Sequence, residues 1–165
     1  KGWERVKSTM ENIAKLLPKN QFQLDIITKD HFTDSNEYDN LHICKLDFMP
    51  FEQFCKQIVQ YDLFLDLRDV DFENTRCLPI KLFYYMACGR PSIYSNLSAI
   101  RKGVAQIDDC ACLVDDIKQA TQAMLQYISN PTLYKQHSQR ALELSQQKYN
   151  WQSIKIRLTQ LIDEL

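Results

Sequence analysis

The order in which apolar runs and helix-patterned segments follow one another constrains this chain more than any other feature. Trp3, Val6, Met10, Ile13, Leu16 and Leu17 recur at three and four positions, so residues 3–17 are predicted to form an amphipathic helix. Short buried strands are predicted over 22–28 and 41–46. A helix opened by Pro50 runs to residue 60, and a third strand covers 62–67. Pro79 opens the next helix and Gly89 stops it, before a fourth strand at 91–95. A fifth strand, 110–114, follows a turn or short helix around 98–103. Beyond residue 116 the pattern is helical only. Ile117, Ala120, Met124 and Ile128 mark one stripe. Leu133, His137, Ala141 and Leu144 mark another, opened by Pro131, and Trp151, Ile154, Ile156, Leu158, Leu161 and Ile162 mark the last. Alternation followed by accumulated helices implies an α/β class: a mostly parallel sheet flanked by helices and finished by C-terminal helices. Ligands of such sheets bind at the carboxyl ends of the strands. Here those ends are the loops at 28–39, 47–50, 68–77 and 95–103.

At 165 residues the chain suits one domain, which at this size needs no cross-links to bury a core. Lys and Arg number 20 against 21 Asp and Glu, a formal net charge of -1. No basic field exists to bind nucleic acid by counterion release. Glycine occurs only at Gly2, Gly89 and Gly103, which excludes a glycine-rich phosphate loop. A phosphate site must then use helix N-termini and side chains. Cys44, Cys55 and Cys88 sit in or beside apolar runs and read as reduced thiols of a cytosolic protein. Cys110 and Cys112 would share one side of a strand and invite a metal reading. No second pair has ligand spacing, however, and His31, His42 and His137 are scattered. No apolar run nears the roughly 20 residues of a membrane span. No secretory signal opens the chain, so a cytoplasmic location is expected, with peripheral contact at the inner membrane face left open. The start inside a helical pattern suggests a piece of a longer protein.

The sharpest local pattern is Leu78-Pro79-Ile80-Lys81-Leu82-Phe83-Tyr84-Tyr85-Met86-Ala87-Cys88-Gly89-Arg90-Pro91-Ser92-Ile93. It reads as a loop, a helix, a glycine stop and a strand. Lys81 places a positive charge in the first helical turn, against the helix dipole, at a cost of about 0.3–1 kcal/mol. Such a charge either turns to solvent or meets an anion. The stretch resembles the P-x-K-x-x-E-Y-M-A-C-G-x-P-x-I signature of GT-B glycosyltransferases of the large retaining family (group 1, family 4-like). Lys1-Gly2 is similar to the K-G before that family's first helix, and Leu24-Asp25-Ile26-Ile27 to the strand that follows. Phe48-Met49-Pro50-Phe51-Glu52-Gln53-Phe54 resembles its G-x-V-x-x-E-E-L turn, and Tyr61-Asp62-Leu63-Phe64-Leu65 its A-D-V-F-V. Leu113-Val114-Asp115-Asp116 resembles L-V-x-x-x-D, and Tyr149-Asn150-Trp151 the late Y-S-W.

The resemblance implies that residues 1–165 form a single donor-binding domain, Rossmann-like and one half of a GT-B fold. It implies a nucleoside diphosphate sugar as donor, transfer with retention to a glycan, lipid or protein acceptor, and an acceptor-binding domain N-terminal to Lys1. No cofactor is implied. The catalytic groups are not identified in this chain and would lie in that other domain. Lys81, Arg76 and Lys1 are the candidates for donor phosphate. Tyr84, Glu73 and Asn74 are those for ribose or sugar, and Thr28, Lys29, Phe48 and Met49 those for the base. The departures are as informative. The family's two donor-site carboxylates fall here on Tyr84 and Arg76, and Glu73 stands three residues too early. Tyr84 could give a ribose one hydrogen bond or serve as packing; Arg76 could only donate, for instance to phosphate. Asp69-Val70-Asp71 matches the metal-holding D-x-D of the other large glycosyltransferase class, yet reads here as a solvated loop, so no metal is expected. The absent carboxylates keep a rival open: a non-catalytic scaffold or partner-binding module of the same fold.

Overall fold

The computed structural model describes residues 2–28 and 37–163, so the candidates Lys1 and Lys29 lie outside the described residues. In chain order the elements are α1 (Gly2–Leu16), β1 (Phe22–Ile27), β2 (Leu41–Leu46), α2 (Phe51–Ile58), β3 (Phe64–Asp66), α3 (Lys81–Ala87) and β4 (Ser92–Ser95). They continue with α4 (Ser98–Gly103), β5 (Ala111–Val114), α5 (Ile117–Ser129), α6 (Pro131–Gln147) and α7 (Trp151–Asp163), with a 3-10 turn at Ile107–Asp109 before β5. β3 is shorter than the sequence pattern suggests, because pairing runs only from Phe64 opposite Ser92 to Asp66 opposite Tyr94. α3 also begins late. Pro79 and Ile80 form a tight first turn whose carbonyls accept from the Leu82 and Phe83 amides at 3.1 Å each. Gly89, at φ +62°, ends that helix in the left-handed region where glycine is unstrained.

All pairings are parallel. β1 lies beside β2 from Phe22 opposite Leu41 to Ile27 opposite Leu46, and β4 lies between β3 and β5. α1 runs antiparallel to every strand. Near its start, the Arg5 guanidinium donates to the carbonyls of Arg68, after β3, at 2.6 Å and Asp115, after β5, at 2.8 Å. At its end, the Asn40 side-chain amide, just ahead of β2, donates to the carbonyls of Ala14, Leu17 and Asn20. Side chains then fill two layers. Met10, Ile13, Leu24, Ile43, Ile93, Val114 and Ala120 form one core beneath α1 and α5. Leu82, Met86, Tyr94, Ile100, Ala141 and Leu144 form the other, beneath α3, α4 and α6. Ile93 and Tyr94 are successive residues in different cores, the mark of a strand covered on both faces. Side chains cap two of the C-terminal helices: Asp116 accepts from the Gln119 amide at 2.7 Å, and Asn130, just before Pro131, from the Leu133 amide at 3.1 Å.

Two expectations are corrected. The Cys110 and Cys112 thiols do not share a side. Cys110 precedes the strand and belongs to the second core, whereas Cys112 packs against the first. On α5 the buried stripe runs through Ala120 and Met124 to Tyr127 rather than to Ile128, which is exposed, because Tyr127 turns toward His137 of α6. The last helix forms as the pattern predicts, and its apolar residues Trp151, Ile154, Ile156 and Ile162 are exposed.

Candidate functional site

The carboxyl ends of β3, β4 and β5 are tied into one platform. Buried Ser95 accepts from the Arg68 amide at 2.8 Å and donates to the Arg68 carbonyl at 2.7 Å. The Arg68 guanidinium clamps Asp66 with two parallel bonds of 2.7 and 2.9 Å, and this pairing raises the pKa of the guanidinium above its ordinary value. Asn96 donates to Asp115 at 2.9 Å, and Arg101 donates to Asn96 at 2.6 Å. With Arg5 bridging from α1, every polar group in this list is already engaged within the protein. Sequence reasoning passed over Arg5, Asp66, Arg68 and Ser95. The signal available for them was position alone: each stands at or faces the carboxyl end of a strand.

A cavity of about 1380 Å³ opens beside this platform. Thr28 after β1, Phe48 and Met49 after β2, and Lys81 at the start of α3 all line it. Lys81 is exposed there, so its ammonium can meet an anion without losing all its water. Phe48 is 59% exposed and offers a ring face to a planar group. Lower down, Tyr85 lines the same cavity and stacks on Phe64, with centroids 4.0 Å apart and planes at 5°. Burial pushes the Tyr85 phenol upward, so it stays protonated and serves as a hydrogen-bonding group rather than a base. Tyr61 is likewise pushed up to about 12, first by burial, and its hydroxyl donates to Asp25 at 2.8 Å.

The remaining candidates are not among the described residues lining that cavity. Tyr84 sits in an aromatic trio, its ring 5.4 Å from Phe51 and 6.0 Å from Phe54 of α2. Arg76 lays its guanidinium over the Phe72 ring at 3.6 Å, a cation–π contact. Asn74 is folded onto Asp71, donating from its backbone at 2.7 Å and its side chain at 2.9 Å. Both oxygens of the D-x-D carboxylate Asp71 are thereby engaged. Glu73 is exposed, and its carbonyl accepts from the Arg76 and Cys77 amides. This loop, residues 68–79, is anchored to α4 by the Thr75 carbonyl, which accepts from Ala99 at 3.2 Å and Ser98 at 2.8 Å. Among the described residues, no three His, Cys, Asp or Glu side chains gather where they could hold a metal ion, and no helix is long and apolar enough to cross a membrane.

Comparison by sequence matches the chain to no protein family and to no curated protein. Comparison by structure does find relatives of the fold. Sucrose-phosphate synthase from Thermosynechococcus elongatus aligns with a TM-score of 0.72 and 18% identity, over 99% of this chain and 42% of that one. HepE from Anabaena in complex with UDP aligns at 0.62 and 12% identity, over 75% and 33% of the two chains. HepE in complex with UDP-glucose aligns at 0.66 and 10% identity, over 96% and 53%. The chain therefore spans about half the length of these proteins or less, and its fold is the Rossmann-like half found in GT-B structures.

Proposed function

We propose that this chain is the donor-binding half of a GT-B glycosyltransferase, holding a nucleoside diphosphate sugar for transfer to an acceptor. The observation that carries the reading is the convergence of Thr28, Phe48, Met49 and Lys81 on one cavity at the carboxyl ends of parallel strands. The base lies against Phe48 and Met49, with Thr28 at its edge. Lys81 meets the diphosphate and stabilises the charge that develops on it as the sugar leaves, the kind of preorganised contact that usually dominates catalysis. The UDP and UDP-glucose bound by HepE make uracil the first base to try. Retention at the sugar, a hexose as the transferred group, an acceptor-binding domain from the same protein and independence from metal belong to the same reading. So does a cytoplasmic site of action, with or without contact at the inner membrane face; the six free cysteines suit a reducing compartment.

Calorimetric titration of UDP, ADP and GDP tests the reading. One of them is expected to bind, and Lys81→Ala is expected to weaken it by about 1.5–3 kcal/mol, the scale of a hydrogen bond to a charged group. That is roughly ten- to a hundredfold in Kd. If none binds, the donor site is absent. A second reading then takes over, that of a partner-binding scaffold. It is favoured by two observations: Tyr84 is engaged in aromatic packing, and Arg76 in a contact with Phe72, at the positions where the resemblance expects carboxylates.

A further inference from the structure

β5 pairs with β4 on one side and, among the described residues, with no strand on the other. The Val114 carbonyl accepts from the Asn96 amide at 2.8 Å, so Val114 directs its backbone groups toward β4. Backbone direction alternates along a strand, so Ala111 and Leu113 present theirs outward. The next outward donor, the Asp115 amide, is taken by the Gln119 side chain at 2.9 Å. A side-chain oxygen of α5 thus stands where a partner strand would offer a carbonyl.

This edge is the floor of a trough of about 340 Å³. Gln119, Gln122 and Gln126 line it from α5, at spacings of three and four that put them on one helix face. All three are exposed and uncharged. Asp108 and His137 line the end where β5 begins, and His137 is held there by the Tyr127 hydroxyl, 2.8 Å from Nδ1. Sheet edges are commonly blunted by charged side chains or proline. The opposite edge, β2, carries exposed His42 and Lys45. β5 reads Ala-Cys-Leu-Val and has neither device.

Charge lies instead beyond the two ends of β5. Asp108 and Asp109 precede it and pair with Arg101 at 3.1 Å and Arg140 at 4.0 Å. Asp115 and Asp116 follow it, and their carboxylates accept from the neutral amides of Asn96 and Gln119. Arg5 donates to the Asp115 carbonyl, and among the described residues no Lys or Arg forms an ion pair with either carboxylate. Open negative charge therefore marks the carboxyl end of the trough. A second copy of the chain suits it poorly. Antiparallel pairing of β5 with itself would set Asp115 and Asp116 of one copy beside Asp108 and Asp109 of the other.

We infer that the β5 edge is a docking site for an extended peptide segment of another protein, neutral along its middle and basic where it passes Asp115 and Asp116. The segment adds as a strand, exchanging backbone hydrogen bonds with Ala111 and Leu113, and its side chains on one face lie against Gln122 and Gln126. The inference is independent of nucleotide binding, because β4 stands between this edge and β3 with its cavity.

Fluorescence anisotropy with two labelled synthetic peptides tests it. Both share a core of alternating valine and threonine; one carries lysines at its ends and the other glutamates. The lysine peptide is expected to bind, and the glutamate peptide to bind at least about tenfold more weakly. Asp115→Asn combined with Asp116→Asn should weaken the lysine peptide by about tenfold, and asparagine still caps α5. Hydrogen exchange with the lysine peptide present should slow the amides of 111–114 and leave those of 41–46 unchanged. No binding of the lysine peptide overturns the inference, as does equal binding of the two peptides or binding that leaves 111–114 unprotected. Protection of 111–114 that rises with chain concentration, without peptide, would make a second copy the occupant and overturns it too.

Discussion

Asn40 shows how one polar side chain can hold a helix to a sheet. It is 8% exposed, and its amide donates to the carbonyls of Ala14, Leu17 and Asn20 at and just beyond the end of α1, where Ala14 is buried and Leu17 also accepts from the Asn20 amide. Asn40→Ala is expected to cost about 1–3 kcal/mol in urea unfolding, the penalty for acceptors left unpaired. A loss below a few tenths would mean that water reaches those carbonyls. Tyr94 is the opposite case. It is fully buried in the second core, and among the described residues its hydroxyl has no hydrogen-bond partner. Tyr94→Phe keeps the ring and removes the orphaned group, so it is expected to stabilise the fold by about 1 kcal/mol. For a domain of this size that raises Tm by roughly 2–4 °C. A lower Tm on thermal scanning would show that the hydroxyl is satisfied in solution. Neither role was legible in the sequence. Asn40 stands in a polar run that reads as loop, and Tyr94 in a strand where a phenol and a phenyl ring give the same pattern.

The seam between α5 and α6 carries a pH dependence. The Tyr127 hydroxyl lies 2.8 Å from His137 Nδ1, and the Cys112 thiol donates to that hydroxyl at 3.2 Å. Burial holds the His137 imidazole below its ordinary pKa of 6.5, while Asp109 pulls the other way. The unfolded chain therefore takes up a proton at His137 before the folded chain does. Between the two pKa values the unfolded state holds more protons, so stability declines as pH falls below about 6.5. Urea midpoints measured from about pH 7.5 to about pH 5.5 should drop for the wild type and drop less for His137→Gln. Parallel slopes for the two proteins would remove His137 from the account. At this scale the sequence is a good guide, because periodicity and caps are local. Residues 41–46 are a strand, Gly89 stops α3 and Pro131 opens α6, all as predicted. It fails where tertiary contact decides. Tyr127 displaces Ile128 from the α5 stripe, and Cys110 turns away from Cys112 because the strand starts one residue later.

For the whole molecule, the α/β class was legible from element order, but which candidates share a space was not. Thr28, Phe48, Met49 and Lys81 come from two loops and the first turn of α3, and meet only because the strands are parallel. Tyr84 and Arg76, marked by the same motif, are taken up by neighbouring rings. Among the described residues, the assembled mouth has no second wall. Phe48, Phe51, Phe72 and Ile80 are each more than half exposed, on segments that follow the carboxyl ends of β2 and β3. Sugar transfer requires donor and acceptor to be enclosed together, away from water. One half of a cleft can bind a nucleotide yet leave the anomeric carbon open to solvent, with no group on the far side to orient an acceptor. The 165-residue chain is therefore expected to bind nucleoside diphosphate while transferring no sugar. The measurement is UDP release from UDP-glucose in a coupled assay, with and without a panel of glycan and lipid acceptors. The expected rate equals that of buffer, whereas a longer product carrying an acceptor-binding domain should turn over. Acceptor-dependent UDP release by the 165-residue chain alone would place both walls of the cleft within it and refute the two-domain reading.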